Sequence, residues 1–285
     1  MVDWQQIKEL VRHCVYEDVG SGDITTNSIV AVGASAKGII HMKQEGIVAG
    51  LAVAEGVFRL LSPEISFTPK VQDGDHVEYG TVLAEVEGDA KAILTGERVA
   101  LNFLQRMSGI ATQTAFFVEK VKDYPVRVVD TRKTTPGLRI LEKYAVVAGG
   151  GHNHRFGLCD AVMIKDNHIK VAGGIIKAIT AARKTVSHMV KIEVEVEDLA
   201  GVTEALQGKA DVIMLDNMDN HRMKQAVAMI GHLALVEASG GINEETIVDI
   251  AKTGVDIISI GALTHSVKAL DISLDIGQIK VRSFV

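Results

Sequence analysis

Residues 149–157 read GGGHNHRFG, so three glycines lead into His152, His154 and Arg155. Two histidines at i and i+2 raise the question of a metal site. Zinc, however, usually has cysteine or carboxylate company, and the adjoining Arg155 repels a cation. An anion-binding loop is the better reading, because the flanking stretches supply more positive charge. DTRKTTPGLR, from residue 130, offers Arg132 and Lys133, and MIKDNHI, from residue 163, offers Lys165. Arginine matches a planar carboxylate with two parallel hydrogen bonds, whereas lysine is a point charge suited to phosphates.

The chain is acidic overall, at −6, yet residues 127–170 carry eight Lys/Arg against four Asp/Glu. A cationic island in an anionic protein suggests a small, highly charged anionic ligand. Opposite charge follows in EVEVE, where a two-residue period puts Glu193, Glu195 and Glu197 on one strand face. The next strand, in IMLDN, ends at Asp216. Neighbouring strand ends lie roughly 5 Å apart, so a glutamate and Asp216 can together hold a ribose diol or an Mg²⁺ ion. EASGGIN and SIGALTH are each strand, glycine turn and helix start, which converges backbone N–H groups on an anion. They make Ser239, Gly240, Gly241, Gly261 and His265 phosphate-binding candidates.

Repeated βα units must position these residues. VRVVD, AVMIK, VKIEVEV, DVIMLD, LALVE and DIISI are short β-branched runs from residue 126 to 260, separated by amphipathic helical stretches such as IIKAITAARKT and NHRMKQAVAMI. Alternation at this spacing means parallel strands with right-handed crossovers. Strands that end in charged residues fit a barrel whose working face lies at their C-terminal ends. Six strands fall short of the eight of a full barrel, so the barrel is incomplete. Pro136 is expected to start the helix after the first strand.

The N-terminal third follows a different pattern. Ile7, Leu10, Val11, Cys14 and Val15 have helical spacing, AKGIIHMKQEGIVAG alternates like strands, and VQDGDHVEYGTVLAEVEG suggests a hairpin turning at Asp-Gly. A helix is predicted from Lys91 to about Met107, interrupted at Ser108-Gly109, with Arg98 on the apolar stripe of Leu94 and Leu101. The reading is thus an α/β protein: an open-faced α/β sandwich over residues 1–108, completed by 270–285, and an incomplete parallel α/β barrel over 109–269.

Composition narrows the function classes. With 285 residues and 47% hydrophobic content, the chain can bury a large core. Its net charge disfavours general nucleic-acid or membrane binding, and no apolar run reaches transmembrane length. Cys14 and Cys159 match no disulfide or metal spacing, and the N-terminus has no signal-like apolar region, so a cytoplasmic protein is expected.

DTRKTTPGLR, GGGHNHRFGL, MIKDNHI, EVEVE, IMLDN, EASGGI and GALTHS resemble, in order, the motifs of the quinolinate phosphoribosyltransferase family. ERVALNFLQRMSGIAT and EDVGSGDITT in the first domain fit the same family, and the likeness runs from about residue 10 to 275. The resemblance implies the type II phosphoribosyltransferase fold and a homodimer with shared active sites, open to higher assembly. It implies conversion of quinolinate and phosphoribosyl pyrophosphate, with Mg²⁺, to nicotinate mononucleotide, CO₂ and pyrophosphate in de novo NAD synthesis. By the same likeness Arg98 reaches the partner's pocket, and Arg132, His154, Arg155 and Lys165 bind the quinolinate carboxylates. Lys133 sits near the reacting centre and pyrophosphate, and Glu195 faces ribose and metal together with Asp216. Lys133 and Lys165 are candidate proton sources after decarboxylation.

Three rivals remain. One is a related transferase acting on nicotinate or another heteroaromatic acid. Another is a biotinyl- or lipoyl-type carrier, disfavoured because Lys91 opens a helix rather than a hairpin tip. The third is an aldolase-like barrel using Lys165 as a Schiff base.

Overall fold

The computed structural model describes residues 3–278. Two compact units divide them. One holds the chain up to Ala115, Thr135–Gly150 and the stretch from Ser266; the other holds Phe116–Thr134 and Gly151–His265.

The first unit starts with α1 (Trp4–Val19), whose N-cap Asp3 accepts the Gln5 N–H and whose 3.6-residue period buries Ile7, Val11 and Val15. After α2 (Ile24–Ile29) come β1 (Ser35–Met42), β2 (Gly46–Ile47), α3 (Leu51–Leu61), β3 (Ser66–Pro69), β4 (His76–Val77) and β5 (Val82–Asp89). The sheet is completed by β12 (Ile272–Ile276), in the order β12-β1-β5-β3 with antiparallel pairing throughout. The returning C-terminal strand is therefore seen over Ile272–Ile276; residues 279–285 of the expected return lie outside the described residues. His41 of β1 and Asp275 of β12 pair at 3.0 Å.

Two local expectations are corrected here. The Asp73-Gly74 turn does not join a hairpin, because β4 pairs with β2 while β5 pairs with β1 and β3. Gly74 instead donates its N–H to the Val48 carbonyl. Nor is the long helix interrupted: α4 runs Ala90–Lys120. Ser108 is wholly buried in it, and its hydroxyl takes the Ala49 N–H at 3.0 Å. A Cβ on Gly109 would stand 2.3 Å from the Lys268 carbonyl oxygen. Serine and glycine mark close packing at this point, not a break.

In the second unit β6 (Arg127–Val129), β7 (Val162–Ile164), β8 (Ile192–Val196), β9 (Val212–Asp216), β10 (Leu235–Ser239) and β11 (Ile257–Ser259) form a parallel sheet in the order β6-β11-β10-β9-β8-β7. Its helices are α6 (Asp166–Ala172), α7 (Ile175–Thr185), α8 (Leu199–Gln207), α9 (Asn220–Ile230), α10 (Ile247–Ala251) and α11 (Ala262–His265). The six expected strands are all present, and β6 and β7, first and second in chain order, stand at opposite ends of the sheet, which is the incomplete barrel. Val194, Ile213, Ala238 and Ile258 are fully buried along it; each large aliphatic side chain so buried contributes about 1.5–3 kcal/mol.

The division by contacts falls differently from the expected boundary at residue 108. The helix after β6, α5 (Arg139–Ala148), belongs to the first unit. There Tyr144 donates its hydroxyl proton to Asp73 at 2.7 Å, and buried Glu142 receives Arg106. Pro136 opens a turn rather than the helix, whose first residue is Arg139.

Candidate active site

The C-terminal ends of the barrel strands surround a cavity of about 480 Å³ within the second unit. Arg132 and Lys133 reach it from the loop after β6, His154 and Arg155 from the glycine-led segment, and Lys165 from the end of β7. Glu195, Asp216 and Glu237 line the same cavity from β8, β9 and β10. The predicted gathering of cations and carboxylates at one rim is what the fold produces.

Local chemistry places each group. In GGGHNHRFG, His152 forms a parallel bridge with Val129 and its N–H reaches the Val128 carbonyl at 2.9 Å. The segment is thus stitched alongside β6, outside the six-stranded order. Asp130, fully buried at the end of β6, takes the His154 N–H at 2.9 Å. Beyond it, Asp160 takes the N–H groups of Phe156 and Gly157, which ties back the loop's far side. Lys165 is the N-cap of α6, and its backbone N–H donates to His168 Nδ1 at 3.0 Å, so the DNH of MIKDNH fixes where the lysine starts.

The side chains pair across strands. Lys165 Nζ bonds to Glu195. Arg155 donates to the Ala161 carbonyl at 3.3 Å and lies 3.4 Å from Met163 Sδ. Burial first, and then the neighbouring Arg132 charge, lower the Arg155 guanidinium from its ordinary value; it remains a cation. Asn217, at φ +53°, donates to Asp216 Oδ2 at 2.9 Å, and its backbone N–H holds the Ser239 carbonyl.

His154 has an unexpected environment. Its Nε2 lies 3.2 Å from Glu193 Oε2 and 3.3 Å from Glu237 Oε2, both carboxylates being buried. Burial alone would depress the imidazole, but hydrogen bonds and charge from these two glutamates outweigh it and push it up to about 10. The Arg155 N–H points at Nδ1 from 2.7 Å, which opposes protonation there. Hydrogen bonds and charge from the glutamate pair outweigh one peptide dipole, so the imidazolium prevails. Glu193 is pushed above the carboxylate range, chiefly by burial. The three ligating atoms lie within 4.8 Å of one another, a spacing that suits a cation, but the adjoining Arg155 works against one.

The phosphate candidates divide. Ser239, Gly240 and Gly241 line the cavity, joined by Ser259 from β11; Gly261 and His265 do not. Gly261 accepts the His265 N–H at 3.2 Å, and Thr264 of α11 donates its hydroxyl to the Lys133 carbonyl at 2.8 Å. Gly261 lies against Lys133, since a Cβ there would stand 2.9 Å from the Lys133 Cδ. Gly240, at φ +91°, has no room for a side chain: a Cβ would meet Asn217 Oδ1 at 2.3 Å. Of the three alternating glutamates, Glu193 faces inward and buried and Glu195 faces the cavity, while Glu197 is exposed past the end of β8. Arg98 lies in the other unit, exposed on α4.

Sequence reasoning did not single out Glu237, Asp130 or Ser259 as site residues. Glu237 left a signal: β10 runs to Ser239, so LVEAS sets a glutamate inside a strand, with Val236 and Ala238 buried on either side.

Comparison with known proteins gives a consistent picture. Residues 110–275 match the quinolinate phosphoribosyl transferase C-terminal domain, and residues 23–108 match the N-terminal domain of the same name. A probable nicotinate-nucleotide pyrophosphorylase (carboxylating) of Bacillus subtilis is 48% identical over 271 residues, 95% of this chain and 93% of that protein. Quinolinate phosphoribosyltransferase (decarboxylating) 1b of Nicotiana tabacum is 41% identical, covering 95% of this chain and 82% of its own. The crystal structure of NadC from Streptococcus pyogenes superposes with a TM-score of 0.93 at 43% identity, covering 98% of this chain and all of that one.

Proposed function

From the premise that this chain belongs to the quinolinate phosphoribosyltransferase family, we propose how its cavity joins quinolinate to phosphoribosyl pyrophosphate, releasing pyrophosphate and CO₂ and leaving nicotinate mononucleotide. The protein is a pentosyltransferase of NAD synthesis. The observation that carries the site assignment is the convergence of Arg132, Lys133, Arg155 and Lys165 on one cavity that also holds Glu195 and Asp216.

Arg132 and Arg155 are fitted to the two acceptor carboxylates, and Lys165 bridges them to Glu195. Holding the ring nitrogen in line with C1′ makes the encounter effectively unimolecular. As the C1′–O bond to pyrophosphate breaks, Glu195 and Asp216 face the positive charge that develops on the sugar, and Lys133 faces the departing pyrophosphate. Backbone N–H groups at Ser239, Gly240 and Gly241 suit the 5′-phosphate. The ring nitrogen is then a pyridinium, so the C2–carboxylate bond can break with its electron pair left beside N⁺; a proton from Lys133 or Lys165 completes the product. His154 lines the same cavity and adds its charge to the quinolinate pocket while Glu193 and Glu237 hold its Nε2.

Glu195 and Asp216, on adjacent strands at the cavity, are a donor set that fits Mg²⁺, which favours carboxylate oxygens and substrate phosphates. When bound, the ion would neutralise pyrophosphate charge. A cytoplasmic homodimer, in which exposed Arg98 serves the partner's cavity, belongs to the same proposal.

The test supplies the purified protein with Mg²⁺, phosphoribosyl pyrophosphate and either quinolinate or nicotinate. Nucleotide and CO₂ formed in equal amounts from quinolinate are expected. Turnover of nicotinate alone would favour the related transferase instead.

A further inference from the structure

Glu193 and Glu237 are charged side chains, 5% and 1% exposed, beneath a site that needs cations. They come from β8 and β10, on either side of β9, in whose register Glu237 stands opposite Met214 and Glu193 opposite Val212. His154 spans the gap between them with a single nitrogen. Each glutamate keeps one buried oxygen, Oε1, without a hydrogen-bond partner, so neither carboxylate is being used to satisfy the backbone. Two buried acids with unmet oxygens are costly, and a fold tolerates that where the charges hold something else in place.

We propose that Glu193 and Glu237 are positioning residues that latch the His154 ring into the barrel and so aim Arg155 at the acceptor's carboxylate. The latch has three attachments. Asp130 holds the His154 backbone N–H, and Glu193 and Glu237 hold Nε2. Arg155 therefore leaves the backbone from a point fixed by its neighbour's ring, and its guanidinium then rests on the Ala161 carbonyl. Planar two-point recognition of a carboxylate fails with small misplacement of the fork, so the anchoring matters more for arginine than it would for lysine. Charged groups facing His154 include Asp130 at the end of β6, Glu193 on β8, Glu237 on β10 and Arg155 in its own loop. The substrate's own charge is met by Arg155 together with Arg132, Lys133 and Lys165.

This inference rests on the proposed role of Arg155 in binding quinolinate, and the experiment separates the two. Steady-state constants for both substrates, direct quinolinate binding and thermal unfolding are measured for Glu237→Gln, Glu193→Gln, Arg155→Ala and the double variant Glu237→Gln/Arg155→Ala. Glutamine keeps shape and removes charge. The glutamine variants should raise the quinolinate KM and dissociation constant about tenfold, with KM for phosphoribosyl pyrophosphate and kcat changed less than threefold. In the Arg155→Ala background, Glu237→Gln should add less than twofold, because the latch acts through the missing side chain. Full additivity, or an equal loss in both substrates' KM, overturns the latch while leaving Arg155's role intact. An Arg155→Ala enzyme with unchanged quinolinate binding overturns the underlying reading. Should Glu237→Gln not fold, Glu193→Gln carries the same comparison from the other strand. Failure of both to fold would mark the pair as folding elements and also sink the proposal.

Discussion

His154 shows how a residue's surroundings decide its role. Its imidazole, ordinarily near 6.5, is pushed up to about 10 by two buried carboxylates. Because the folded value lies above the unfolded one, the pairing stabilises the protein fully below about pH 6.5, and that gain is lost as pH rises through about 10. The difference in melting temperature between wild type and His154→Gln should therefore be greatest near pH 6 and shrink towards pH 10. A difference that grew with pH would contradict the paired imidazolium. Lys165 makes a different prediction. It bridges Glu195 at the cavity and is a candidate proton donor, so Lys165→Ala should lower kcat by about 100-fold. The thermal transition should hardly move, since the lysine is part-exposed and such pairs contribute little to stability.

At the scale of elements, two glycines carry constraints that no other residue type meets. Gly240 follows β10 with positive φ against the Asn217 amide, and its backbone is proposed to hold the 5′-phosphate. Gly240→Ala should raise KM for phosphoribosyl pyrophosphate by at least about tenfold, with quinolinate binding in a direct titration little changed. Gly109 lies mid-helix in α4 with the Lys268 carbonyl at its face. Gly109→Ala trades a better helix former for a clash with backbone and should lower stability by about 1–3 kcal/mol, read as a fall in midpoint during urea unfolding. The same glycine explains one limit of the sequence reading. Ser108-Gly109 resembles a helix break because serine and glycine are weak helix formers, yet tertiary packing requires small residues there. The hairpin reading failed for a related reason. Asp73-Gly74 signals a turn correctly, but which strands the turn allows to pair depends on partners far along the chain.

For the whole molecule, the prediction concerns assembly. Arg98 is exposed on α4, and the proposal gives it to a partner's cavity. Inactive Arg98→Ala and inactive Lys133→Ala, mixed after mild unfolding and reassembly, should recover about a quarter of wild-type activity, because half the dimers are mixed and each has one intact site. Mixtures that stay inactive, together with a monomeric sedimentation profile, would refute the shared site.

The order of strands and helices in the second unit, the cationic loop residues and the family were legible before any fold was known, because strand period, strand-end charge and glycine turns are local properties written in consecutive residues. The sequence also supplied Arg132, Lys133, Arg155, Lys165, Glu195 and Asp216 as a set, which the barrel's single working face draws to one cavity. Long-range packing alone turns His154 inward to Glu193 and Glu237, sets Gly261 and Thr264 against Lys133, and joins α5 to the first unit. Each of these depends on contacts between segments distant in sequence, where the inward direction of a side chain follows from pairing register and crossover geometry and not from any residue's own type.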